Sequence, residues 1–165
     1  MPLTTVRRRT VKAKSNWSHE NKGCFGAWGA GPVNNLYQAG AIVVPSRATQ
    51  GTVTVGNFTI TVPGKPATST TQGVVYWALV YVPQGETAKN LFATTGNLDG
   101  SLYEPNQYVI SSGMSDTNAG PIRIRTRMMR KLHSGDFVSL ILGTPDSEVV
   151  GMNFQALVSY SIKYN

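Results

Sequence analysis

The amino-acid sequence predicts an all-β sandwich, and three observations carry that expectation. Short apolar or alternating runs recur along most of the chain, each closed by Gly, Pro, Asn or Asp. Charged residues make up only 14% of the composition, against about a quarter in an ordinary soluble domain. Thr occurs 17 times and, with Ser, Asn, Gln and Gly, fills the difference, a composition that favours strands and turns over solvated helices. At 165 residues, 41% of them hydrophobic, the chain suffices for one domain with a substantial core.

Residues 1–38 differ from the rest of the chain. A basic arm comes first, and "NKGCFGAWGAGPVNN" is rich in Gly, which reads as an extended segment without its own core, pinned by Trp17, Phe25 and Trp28. Residues 39–165 then form the β domain. "GAIVVP" is a short apolar run ended by Pro45. In "GTVTVGNFTITVP", Val53, Val55, Phe58, Ile60 and Val62 alternate with threonines. The period slips at Gly56-Asn57, so a bulge or a tight hairpin is expected there. "GVVYWALVYVP" is apolar on both faces, as a central covered strand is. "ETAKNLFATTG" has room for one or two helical turns. "NQYVISSG", "GPIRIRTRMM" and "GDFVSLILG" continue the series, and in "MNFQALVSYSIKY" Phe154, Ala156, Val158, Tyr160 and Ile162 alternate with a second set. Seven or eight strands with wide spacings favour Greek-key connections over a meander.

The net charge of +7 is unevenly placed. Arg7, Arg8, Arg9, Lys12, Lys14 and Lys22 face only Glu20 within residues 1–22, and Arg123, Arg125, Arg127, Arg130 and Lys131 cluster without an acid. The remainder is net acidic. A polyanion is therefore the natural partner for at least one basic region. The arm neutralises phosphates without reading bases, and it also fits a nuclear-import signal. On a strand, Arg123, Arg125 and Arg127 share one face, with Ile122, Ile124, Thr126 and Met128 on the other. Such a row can track a phosphate backbone, or it can fork onto carboxylates of a neighbouring copy. The neighbouring copy is the favoured reading, since Arg suits subunit boundaries.

Catalysis is not expected. His133, Ser134 and Asp136 lie together in sequence, unlike a triad assembled across a fold, and no His, Cys or carboxylate cluster suggests a metal or cofactor. In "LHSGDFVSLILG", Gly135 supplies a positive φ and Asp136 accepts from nearby amides, a structural role. The polar connection Tyr103, Glu104, Pro105, Asn106 and Gln107 is expected to fasten loops. Cys24 is the only cysteine, so a disulfide-stapled domain is not expected. No signal peptide and no membrane insertion are expected either, because no long apolar run occurs.

The blocks "WALVYVPQGETAKNLF", "SLYEPNQYVISSG", "RTRMMRKLHSGDFVSLIL" and "FQALVSYSIKYN", in that order across about residues 40–165, resemble capsid proteins of small circular, Rep-encoding single-stranded DNA viruses, the circovirus-like group. The arm is similar in kind to circovirus arms but much thinner in Arg. The resemblance implies an eight-stranded antiparallel jelly-roll sandwich with an extended basic N-terminal arm. It implies that many copies form a small icosahedral shell around circular single-stranded DNA. The protein would then be found in the virion and the host nucleus, with host import machinery and a host receptor as further partners. Arg7, Arg8, Arg9, Lys12 and Lys14 would face the interior, with no base-reading residues. "L-x-S-G-D-x-V-x-L" also resembles trimeric C1q and tumour-necrosis-factor-like ligands or lectins, against which the basic arm and the lack of a signal peptide weigh. A monomeric nucleic-acid-binding barrel is a further alternative, and it would need exposed aromatics beside its cations.

Deleting residues 1–14 removes five positive charges, Arg7, Arg8, Arg9, Lys12 and Lys14. The β domain stays folded by circular dichroism, because the segment offers the core almost no apolar area. Nucleic acid co-purifying with the protein falls, as does nuclear accumulation. Unchanged nucleic-acid content would transfer the binding role to the 123–131 cluster.

Overall fold

A computed structural model describes residues 16–32, 36–49, 51–63, 73–88 and 108–165. Nine strands run through them: β1 (Trp17–Trp28), β2 (Tyr37–Val44), β3 (Val53–Val62), β4 (Val74–Val82), β5 (Tyr108–Asp116), β6 (Ile122–Thr126), β7 (Arg130–Leu132), β8 (Phe137–Thr144) and β9 (Asn153–Tyr164). Every pairing is antiparallel, in the order β5-β4-β8-β2-β1-β9-β3-β6, with β7 extending the β6 side of β3. The β1–β2 junction is only two residue pairs long, Ala27 with Gly40 and Trp28 with Ala39. The path therefore divides there into two halves, β1-β9-β3-β6 and β2-β8-β4-β5. One buried cluster contains Phe58, Ile60, Ile124 and Val158 from the first half and Val43, Leu79, Leu140 and Leu142 from the second. The halves thus face each other across a single core, as in an all-β jelly-roll sandwich.

Alternation explains most of the packing. Ala156, Val158, Tyr160 and Ile162 of β9 point inward, and Tyr160 meets Phe58 with ring centroids 5.8 Å apart. β3 keeps its apolar residues inside only by means of a bulge. Its register with β9 jumps from Gly56–Ser161 to Thr59–Ser159, and Asn57 takes φ 53° to absorb the extra residue. Gly56 is required at this step, since a Cβ there would lie 2.7 Å from Met129 Cγ. The slip expected from the sequence is therefore a bulge within one strand.

β4 and β8 are covered on both faces. Beyond the main core, Ala78, Val80, Val82 and Ile141 form a second buried cluster against Leu36, Ala88, Val109 and Phe137. At the start of β8, the buried Asp136 carboxylate joins three elements. Its Oδ2 accepts from the Tyr81 hydroxyl at 2.7 Å and the His133 amide at 2.8 Å, and its Oδ1 accepts from the Gln84 amide at 3.0 Å. Gly135 holds the positive φ of this turn, 85°.

Two readings from the sequence change. Residues 17–28 are not an extended segment apart from the domain. They form β1, aligned with β9 from Trp17–Lys163 to Ala27–Asn153, so the jelly roll begins before residue 39. The glycines that disguise this strand make room for its neighbour. A Cβ on Gly26 would collide with the Phe154 ring, and one on Gly23 would crowd the Gln155 amide. The "IRIRTRMMRK" strand also divides into β6 and β7, with residues 127–129 between them. The possible helical turn after Glu86 and the 103–107 connection fall largely or wholly outside the described residues.

Burial, followed by the Glu20 carboxylate, pushes the Tyr160 phenol up to about 12. A raised folded-state value means that the unfolded chain releases its proton first. Stability is therefore intact below about pH 10 and is lost as pH rises through about 12. Tyr160→Phe removes this dependence. Urea denaturation between pH 9 and 12 measures it, and an equally steep alkaline loss in the variant would refute the assignment.

Candidate nucleic-acid interface

Arg123 and Arg125 project from β6 because Ile122 and Ile124 turn into the core. Cross-strand registers carry this outer face across the whole half-sandwich. Arg123 lies opposite Thr61, which lies opposite Leu157 and then Gly23. Arg125 leads in the same way through Thr59 and Ser159 to Asn21. Nearer the chain termini, Lys131 leads through Thr54 and Lys163 to Trp17. Between them, Ser161 Oγ lies 3.2 Å from His19 Nδ1 and accepts from Asn57 Nδ2 at 3.4 Å.

These rows contain no carboxylate. Glu20, the one acid on β1, pairs with Tyr160 and belongs to the opposite side of the strand. The face thus carries Arg123, Arg125, Lys131 and Lys163 on a ground of Thr, Ser and Asn. Phe25, 74% exposed, and Leu157, 65% exposed, add an apolar patch on the same side. Cations on an acid-free surface attract a polyanion, and a bare aromatic can stack a base.

The sequence cluster does not stay together. Arg127 is exposed but lies past the end of β6, where the Met128 amide donates to Thr126 Oγ1 at 3.2 Å. It therefore does not continue the Arg123–Arg125 row. Arg130 pairs with the inward Val55, and its Nε is buried without a hydrogen-bond partner. In their place Lys163 joins the surface, along with Phe25 and His19. The alternation of the last strand marks Lys163 as outward, but only the β3–β9 pairing puts it in one cross-strand row with Lys131, on the other side of Thr54. Arg7, Arg8, Arg9, Lys12 and Lys14 lie outside the described residues.

The other half-sandwich is chemically opposite. β2, β8, β4 and β5 together hold a single charged residue, Asp116, at the last position of β5. Ile42 and Met114, 54% and 65% exposed, lie on its outer side, and Tyr76 is paired with Met114. The strand ends differ as well. Arg47, Lys131, His133 and Lys163 gather where β1 enters and β9 ends, together with Glu20, Glu86 and the buried Asp136, whereas Asp116, Asp146 and Glu148 lie at the opposite end.

No protein-family model matches the chain, and no curated protein matches it either.

If the acid-free face contacts phosphates, the triple variant Arg123→Gln/Arg125→Gln/Lys163→Gln binds short single-stranded DNA with a shallower salt dependence. The log–log slope falls by about 0.7 per lost contact. Met114→Gln on the opposite sheet leaves the slope unchanged. Equal slopes for the triple variant and the parent chain would remove this face from nucleic-acid binding.

Proposed function

We propose that this protein is a viral capsid protein whose copies close into a small icosahedral shell around circular single-stranded DNA. The observation that carries the reading is one jelly roll with two outer faces of opposed chemistry. The exposed part of the nearly charge-free sheet, around Ile42, Tyr76 and Met114, suits dry contact with further copies, because no charge need be desolvated to bury it. An acid-free cationic sheet suits a phosphate backbone held without base readout. The basic arm, with Arg7, Arg8, Arg9, Lys12 and Lys14, adds charge for the genome and a signal for import into the host nucleus. The order of sequence blocks that resembles circovirus-like capsids supports the same reading, with the virion as the mature location.

Arg123 and Arg125 fit the DNA side better than a carboxylate contact between copies. Among the described residues, the exposed acids lie away from this face, at the far strand ends or on the other side of β1.

Closed particles of uniform size are expected by light scattering and negative-stain electron microscopy at neutral pH and moderate salt. Met114→Asp places a charge on the apolar sheet and blocks closure while the domain stays folded. Monomers alone would refute the shell, and trimers alone would favour a C1q- or tumour-necrosis-factor-like ligand. Arg123→Gln/Arg125→Gln leaves particles intact with less DNA. Failure to assemble would instead assign these arginines to a subunit boundary.

A further inference from the structure

We propose that the recess between the 45–52 turn, the 132–136 turn and the last two residues binds a single phosphate group. The recess is open on one side and leaves about 80 Å³ accessible to water. That is room for several waters or one tetrahedral oxyanion.

Its polar lining holds one permanent cation, Arg47, among several neutral polar groups. Arg47, Thr49, Thr52, His133, Ser134 and Asn165 line it. Arg47 Cζ sits 4.7 Å from the Tyr164 ring centroid, and no carboxylate among the described residues pairs with it. An aromatic face fixes the guanidinium without neutralising it, which leaves its fork of N–H groups for an oxyanion. Asp136 also lines the recess, but its oxygens are occupied by the Tyr81 hydroxyl and the amides of Gln84 and His133. Those neutral donors engage the carboxylate oxygens without cancelling their charge, so Arg47 has to supply the attraction for a phosphate.

The walls are held before any ligand arrives. The Gly135 amide and the Ser134 hydroxyl donate to the Arg47 carbonyl at 2.9 and 3.1 Å. The Asn165 amide donates to the Thr52 carbonyl at 3.1 Å, and its side-chain amide donates to Thr54 Oγ1 at 3.0 Å. A site organised in advance loses little ordering entropy on binding. Position agrees with chemistry, since Trp17, where the described chain emerges from the arm, pairs with Lys163, next to Tyr164. A backbone phosphate of a strand lying on the cationic face would reach the recess at this end.

Calorimetric titration of the full chain with inorganic phosphate tests the site in any assembly state, so its failure is separate from failure of the shell. Saturable binding of one phosphate per chain is expected. Arg47→Gln weakens it tenfold or more, and Arg47→Lys weakens it less, at unchanged far-ultraviolet circular dichroism. A salt series with short single-stranded DNA identifies the source. A slope about 0.7 shallower in Arg47→Gln assigns a backbone phosphate, and an unchanged slope alongside lost phosphate binding assigns free phosphate. No saturable binding to the parent chain, or equal binding by Arg47→Gln, overturns the proposal.

Discussion

The arrangement depends on one register constraint, the extra residue at Gly56–Asn57. A strand shows its residues to alternate faces, so a slip of one position exchanges its core side for its solvent side. Val53 and Val55 are spaced by two, and so are Phe58, Ile60 and Val62, but the two sets are out of phase. Only a bulge sends both inward. The same bulge turns Thr54, Thr59 and Thr61 outward together, where they bridge the β6 and β7 cations to β9. Core and surface therefore share one device, at the cost of a left-handed Asn and a glycine pressed against Met129.

Charge segregation comes from the topology. The chain passes back and forth between the two halves, yet its cations and its apolar strands sort to different sides. Strands without a single Lys or Arg, β2, β4, β5 and β8, pair only among themselves, apart from the short β1–β2 junction. The result is a domain with a nearly charge-free sheet and a cationic sheet. Under the proposed reading, neighbouring copies and a polyanion would each meet a sheet of suitable chemistry.

At the end where β1 enters, rigidity comes from a few polar atoms. Asp136 ties β4 to the turn before β8, and the Arg47 carbonyl ties that turn to the 45–52 segment. These bonds lie partly buried, where a satisfied carboxylate holds its partners more firmly than it would in water. Arg47, on which the proposed phosphate site rests, is thus carried on a stiff frame although it sits on a loop.

Local pattern alone determined the class of fold, the alternating faces of β3 and β9, the doubly covered β4 and the structural use of Gly135 and Asp136. Each is a matter of period two or of turn chemistry within a few residues, so the information is local. The sequence also marked Arg123 and Arg125 as outward. It could not show that Gly23 and Gly26 belong to a strand, because their purpose is to clear Gln155 and Phe154, more than 100 positions away. Nor could it separate Arg130 from Lys131 or put Lys163 in one cross-strand row with Lys131. Those facts lie in the pairing of β3 with β7 and β9. Long-range register, set by the fit of the whole core, is where the surface was decided.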